Sequence, residues 1–298
     1  MAEKSLDLAR AYRVTDGRKF RLDRHSASDT GPFRSDEDAK AQSMLAASIE
    51  RIADLQEKLY AQDHWAVLLI FQAMDAAGKD STIKQVMSGI NPQGCQVFSF
   101  KAPSEEELDH DFLWRTMRCL PERGRIGIFN RSYYEETLVV RVHPEILAHQ
   151  RIPPELVGKR IWDERFEDIV AFERYLARNG VKIIKFFLNV SKAEQKKRFL
   201  ARLDAPSKNW KFAAGDLKER ERWDEYMDAY EATIRHTAKP FAPWYVVPAD
   251  NKWYTRLVVA SAIVDTLSEM KLQFPVLTDE QREQLKLART QLTQKKKS

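Results

Sequence analysis

The sequence predicts an α/β protein built on a parallel central sheet with helices on both faces, a three-layer αβα arrangement. Three observations carry this. Short, uninterrupted apolar runs recur along the chain, as expected of strands covered on both sides. Stretches with apolar residues at helical spacing alternate with those runs, the pattern of right-handed strand–helix–strand crossovers. The length of 298 residues, 43% of them apolar, is enough for one large core, since a chain of this size buries roughly three quarters of its unfolded surface.

Residues 1–35 are polar and charged without sustained periodicity, and read as an extended N-terminal arm. From Asp36 to Gln62 the apolar residues Met44, Ile49, Ile52, Leu55 and Leu59 fall at helical spacing. Trp65–Phe71 is the first buried strand, and Cys95–Phe100, Ile126–Phe129, Val181–Leu188 and Trp244–Val247 supply four more. Helices are expected between them over Ser81–Ser88, Glu105–Cys119, Trp162–Arg178, Ser191–Leu203, Lys218–Ala238 and Trp253–Met270. One domain therefore spans 36–275, and residues 276–298 form a charged C-terminal tail ending in three lysines and a serine.

Composition narrows the function classes. The apolar content excludes wholesale disorder, and the 10 Gly and 12 Pro exclude collagen-like or low-complexity chains. Cys95 and Cys119 lack CxxC spacing, so two reduced thiols are expected rather than a disulfide or a zinc site. The six histidines show no HExxH or close pairing. No signal pattern opens the chain and no apolar run approaches about 18 residues, which points to a cytoplasmic protein without a membrane partner. Trp244, Trp253 and Tyr254 are expected to pack the sheet rather than stack a base.

The most informative segment follows the first strand: Gln72-Ala73-Met74-Asp75-Ala76-Ala77-Gly78-Lys79-Asp80-Ser81-Thr82. A strand, a Gly-Lys turn and a helix start present backbone N–H groups and a favourable helix dipole to an anion, and Lys79 adds a full charge. Against the Gly-x4-Gly-Lys-Ser/Thr template, Gly78 and Lys79 match. Ala73 replaces the first Gly and Asp80 the Ser/Thr, with Ser81 and Thr82 just beyond. An ordinary strand–turn–helix junction is the alternative. Placement favours the phosphate loop, because open α/β sheets bind ligands beyond the carboxyl ends of their strands. Asp75 inside such a loop makes sense if it holds Mg2+, and otherwise as a turn-former.

Four ordered blocks extend the signal: QAMDAAGKDSTIKQVMSGINPQG, IFNRSYYEETLVVRVHPE, FFLNVSKAEQKKRFLARLDAPSKNWKF and WYVVPADNKWYTRLVV. Together they resemble the signature blocks of the polyphosphate kinase 2 family, over about Asp36 to Lys271. The resemblance implies a P-loop kinase fold similar to thymidylate kinase, with a helical lid over about 191–222. It implies reversible, Mg2+-dependent phosphoryl transfer, with Mn2+ as an alternative metal, from inorganic polyphosphate to AMP and ADP. ATP is then product or reverse substrate, guanine nucleotides are further candidates, and a homo-oligomer (dimer or tetramer) is expected. The loop's departures from the generic template agree with the family's own Asp and Ala-Gly-Lys pattern.

Residue by residue, Asp75, Lys79 and Arg131 would be catalytic, with Asp75 holding the metal. Ala77, Gly78, Lys79, Asp80, Ser81 and Lys84 would bind phosphate. Asn130, Arg131 and Glu135 would face the nucleotide. Many relatives carry Asp-Arg where this chain has Asn130-Arg131, a departure most similar to the class III branch associated with both AMP and ADP.

From Lys192 to Arg222 ten basic residues stand against five acids. Arg198 and Arg202, four apart on one helical face, and Lys208 and Lys211 beyond them would track the polymer. A solvated helix surface is the plain alternative for such a run. Two other functions compete: an ATP-dependent nucleotide kinase, which has no need of a long basic stretch, and a non-catalytic polyanion or nucleic-acid-binding module, which leaves Asp75, Gly78, Lys79 and Arg131 as accidents. Nucleic acid is therefore not expected as a partner.

Overall fold

In this computed structural model residues 8–211 and 215–294 are described. Among them, six strands make one sheet: β1 (Arg13–Val14), β2 (Ala66–Gln72), β3 (Cys95–Ser99), β4 (Ile126–Asn130), β5 (Val181–Asn189) and β6 (Trp244–Pro248). Their spatial order is β1-β6-β5-β2-β4-β3. All neighbours run parallel except β1, which pairs antiparallel with β6 through Arg13 opposite Tyr245. The central strand β2 is buried along its whole length, as its unbroken Ala-Val-Leu-Leu-Ile-Phe run requires. It lies between β4, with Phe71 opposite Asn130, and β5, with Gln72 opposite Phe187. The chain leaves β2 toward β3 and β4 on one side and later fills β5 and β6 on the other. The end of β2 is therefore the topological switch point, where such sheets form their ligand crevice.

One face is covered by α1 (Ala39–Gln62), α2 (Lys79–Val86) and α10 (Lys252–Glu269), the other by α6 (Ile161–Arg178) and α9 (Trp223–Thr237). This is the three-layer αβα class read from the alternation of runs. Asp38 starts α1 by accepting from the N–H groups of Lys40 and Ala41. Phe71 stacks on Phe186 at 4.8 Å across β2 and β5, and Trp244 and Tyr254 are fully buried in the core.

Four segments differ in detail from the sequence reading; the single helix expected over Lys218–Ala238, for one, is two, α8 (Gly215–Glu221) and α9, broken at Arg222. The helix expected over Glu105–Cys119 is two single turns, α3 (Glu105–Leu108) and α4 (Trp114–Met117). Asp111 breaks it by accepting from the Leu113 N–H at 2.9 Å, which starts a new turn. Residues 8–35 hold only two short 3-10 turns and the two-residue strand β1, which no periodicity announces, but they are anchored. Leu8, Ala9, Tyr12, Phe20 and Phe33 are buried, and the Tyr12 and Tyr254 hydroxyls meet at 2.8 Å. Singly spaced aromatics hold this segment, and no period reports them. In the tail, α11 (Asp279–Gln294) starts with a reciprocal cap between Thr278 and Gln281. Lys295–Lys297 fall outside the described residues.

Candidate active site

The site is built at the carboxyl end of β2. After Gln72 the chain turns through Ala76, with φ +61°, and Gly78, with φ +108°, before α2 begins. A Cβ at Gly78 would meet nothing nearer than Ser81 Oγ at 3.4 Å, so the backbone angle rather than space demands glycine. Left-handed residues among right-handed ones turn successive N–H groups to one side, the concavity that receives anions. The first backbone bond into α2 joins the Thr82 N–H to the Gly78 carbonyl, and among the described residues the N–H groups of Gly78, Lys79, Asp80 and Ser81 find no backbone acceptor. The Ser81 hydroxyl bonds back to the Gly78 carbonyl at 3.0 Å.

Lys79 is buried and its Nζ donates to the Ala73 carbonyl at 2.8 Å, closing the loop on itself. Burial, then the neighbouring Arg131, pushes its pKa below the ordinary lysine range. Ala77 is buried, Asp80 is exposed at the start of α2, and Lys84 is exposed one turn on.

The second wall comes from β4. Arg131, with φ +65°, donates its backbone N–H to the Phe71 carbonyl, which fixes the turn after β4 to the end of β2. Its Nη2 reaches Asp75 Oδ1 at 2.9 Å and its Nη1 stands 3.9 Å from Glu135 Oε2. Glu135 is pushed above the usual carboxylate range by burial, which Arg131 and Lys79 oppose. Asn130 Nδ2 donates to Asp80 Oδ1 at 2.7 Å. The loop and the β4 turn thus bring Asp75, Lys79, Asp80, Asn130, Arg131 and Glu135 into one cluster.

A cavity of about 390 Å3 opens beside Arg131 and Glu135 and runs between Glu107, Phe112, Gln150 and Val139, the first residue of α5 (Val139–Val142). That volume is in the range of small-molecule sites. Its wall is stiffened by Glu136, which accepts from Arg165 at 3.1 Å and Gln150 at 2.8 Å.

The third wall is α7 (Lys192–Leu203), whose Ser191 caps it by accepting from the Glu194 N–H. Arg198 is buried here, and each of its five N–H directions is taken. Nε donates to Glu194, Nη1 to the carbonyls of Ala76 and Ala77, and Nη2 to those of Ala249 and Asp250. The guanidinium expected to meet phosphate thus spans two loops through backbone carbonyls. Arg202 Nη1 stands 3.7 Å from Asp216 in α8 (Gly215–Glu221). Lys208 and Lys211 belong to the turn Pro206–Lys211, but their side chains fall outside the described residues.

Two contributors escaped the sequence reading. Gln195, buried on α7, donates to the Asp75 carbonyl at 3.0 Å. Glu173, fully buried on α6, accepts from the hydroxyls of Tyr133 and Tyr134, which follow Arg131 closely. A glutamine in a basic helix and an acid in an amphipathic one give no local signal, because their partners lie far away in sequence. Among the described residues no three His, Cys, Asp or Glu side chains cluster as a metal cage, and no helix is long and apolar enough to cross a membrane.

Comparison with known proteins shows the family of the chain. Residues 34–275 match the family described as Polyphosphate kinase 2 (PPK2). A Rhodopseudomonas palustris protein named ADP-polyphosphate phosphotransferase is 54% identical, over 94% of this chain and 97% of its own. An AMP/ADP-polyphosphate phosphotransferase of Meiothermus ruber is 45% identical, over 89% and 94%. The crystal structure of polyphosphate kinase 2 from Arthrobacter aurescens superposes with a TM-score of 0.85 at 40% identity, covering 94% of this chain and 96% of that one.

Proposed function

The chain belongs to the polyphosphate kinase 2 family, and we propose that it transfers phosphoryl groups between inorganic polyphosphate and nucleoside mono- and diphosphates. The observation that carries this reading is the convergence of Asp75, Lys79 and Arg131 beside a cavity sized for a nucleotide. Phosphoryl transfer needs alignment and charge neutralisation more than covalent catalysis. The acceptor is already an ionised phosphate oxygen, so no general base is required.

In this reading the loop N–H groups and Lys79 grip the transferring phosphoryl group, and Arg131 neutralises charge that develops on it. Glu135 orients Arg131 from the cavity side. The exposed Lys84, together with the lid residues Arg202, Lys208 and Lys211, guides the polymer. The acid set suits Mg2+ or Mn2+, because Asp75 and Asp80 offer oxygen ligands without a closed cage, and such ions keep water and take phosphate oxygens. When bound through Asp75, the ion would offset the phosphates' charge. One phosphoanhydride is exchanged for another, so concentrations set the direction.

Asn130 supports use of both AMP and ADP, in the manner of class III enzymes. The test is to mix protein, Mg2+, polyphosphate and either AMP or ADP, with no ATP supplied. ATP should form from ADP, and ADP followed by ATP from AMP. No product from either acceptor would overturn the proposal.

A further inference from the structure

We infer that Gln195 and Arg198 are positioning residues, which hold the phosphate loop in its anion-receiving form from α7. The inference rests on the phosphoryl-transfer reading for its consequence, and on geometry alone for its structural half. Three consecutive carbonyls of the loop are engaged: Asp75 by Gln195, and Ala76 and Ala77 by Arg198. Residues 195 and 198 are three apart and so share one face of α7. Turning those carbonyls toward α7 leaves the loop's other side to its N–H groups. Ala76 gains most from this, since a left-handed alanine persists only where its surroundings over-determine it.

The brace is anchored at both ends. Arg198 also binds the carbonyls of Ala249 and Asp250 just after β6, and Asp250 Oδ1 accepts from the Ser191 N–H at 2.7 Å. The loop, α7 and the β6–α10 connection therefore form one unit. Gln195 then passes the connection outward. Its Oε1 accepts from Arg220 of α8 at 2.8 Å, and Arg220 also donates to the Lys192 carbonyl at 2.7 Å. The path from α8 to the loop that carries Asp75 and Lys79 is thus two side chains long. A direct polyphosphate contact would need a spare guanidinium N–H, and Arg198 has none.

Two variants separate positioning from contact. Gln195→Leu keeps the side chain's size, removes both polar ends and changes no charge. Arg198→Lys keeps the charge and loses the five-bond fork. If the brace sets the loop, both lower kcat about 10- to 100-fold, as a small misplacement of a reacting group does. KM for polyphosphate should then move by less than about twofold, since an interaction lost only in the transition state leaves ground-state binding intact. Hydrogen–deuterium exchange of the segment 73–82 should also quicken relative to the parent protein, with no substrate present.

The inference is overturned if Arg198→Lys retains kcat but raises KM in a salt-dependent way, which would make Arg198 a polymer contact. It is equally overturned if Gln195→Leu leaves both kcat and loop exchange unchanged. Should Arg198→Lys fail to fold, Gln195→Leu still decides. If the parent protein makes no nucleotide from polyphosphate while loop exchange still responds, the functional reading fails and the structural brace stands.

Discussion

Arg131 Nη2 lies 2.9 Å from Asp75 Oδ1, although the two residues sit on different strand ends, 56 positions apart. The cation expected at the transferring phosphoryl group and the acid expected at the metal are therefore held at one point. Arg131 reaches it because its backbone N–H is tied to the Phe71 carbonyl at the end of β2. On the proposed role of Asp75 as metal holder, a divalent cation there would compete with this ion pair and leave Arg131 available for phosphate oxygens. The pair is a store of aligned charge more than a source of stability, since both side chains are partly exposed, 39% and 29%.

Arg131→Ala should follow that division. Turnover should fall by ~10³-fold or more, by analogy with arginines that stabilise phosphoryl-transfer charge. Stability should fall by no more than about 1 kcal/mol, the range for an exposed pair. Initial rates and denaturant unfolding check the two halves separately, and near-full turnover would remove Arg131 from the mechanism.

Lys79 predicts an alkaline limb. Burial, assisted by Arg131, lowers its pKa, so the free enzyme loses this positive charge at a pH below the ordinary lysine range. If, as proposed, the charged form grips phosphate, kcat/KM should fall as pH rises through that lowered value. Arginine stays protonated there. Lys79→Arg should have a lower maximum but no such fall, and an unchanged limb would assign the titration elsewhere.

Much of this was readable in the sequence. The apolar run ending at Phe71 fixed β2, and the turn at Gly78-Lys79 placed the loop within a residue or two. Arg131 and Asp75 were both named as parts of one catalytic centre, but their direct ion pair was not, because nothing local ties two strand ends together. Arg198 was named for the polymer, and its N–H groups meet Glu194 and four backbone carbonyls instead of being left open. A basic residue in a basic helix looks alike whether it faces a polymer or three loop carbonyls, and only the fold brings Ala76 and Ala249 to its guanidinium. Glu173 and Lys185 gave no signal, since a charge inside the apolar strand β5 is stable only beside a partner, and here that partner comes from helix α6.

That buried pair supports the site from behind. Lys185 Nζ bonds Glu173 at 2.6 Å, the Tyr134 hydroxyl at 2.9 Å and the Thr237 carbonyl at 2.9 Å, with both charged side chains fully buried. Removing one partner leaves the other charge unpaired, so Lys185→Met should cost about 3–5 kcal/mol in chemical denaturation. Adding Glu173→Leu should recover part of that loss, because the orphaned carboxylate goes too. A double variant as unstable as the sum of the singles would mean that the pair is not a coupled unit.

Asn130 offers the sharpest test of acceptor choice. Its Nδ2 donates to Asp80 Oδ1 at 2.7 Å, so an amide there satisfies Asp80 without adding charge beside the loop. In Asn130→Asp the donor is lost and two carboxylates face each other at that separation. Both cannot stay ionised unless a proton or a cation sits between them. The variant should therefore need less Mg2+ for half-maximal rate and respond more steeply to acid than the parent. With another carboxylate competing with phosphate oxygens for the metal, the ratio of AMP to ADP rates should move toward a single acceptor. Parallel initial rates with AMP and ADP across a Mg2+ series measure both effects. If the Mg2+ requirement shifts but the ratio holds, Asn130 tunes the metal and the choice of acceptor lies in the cavity beyond Glu135.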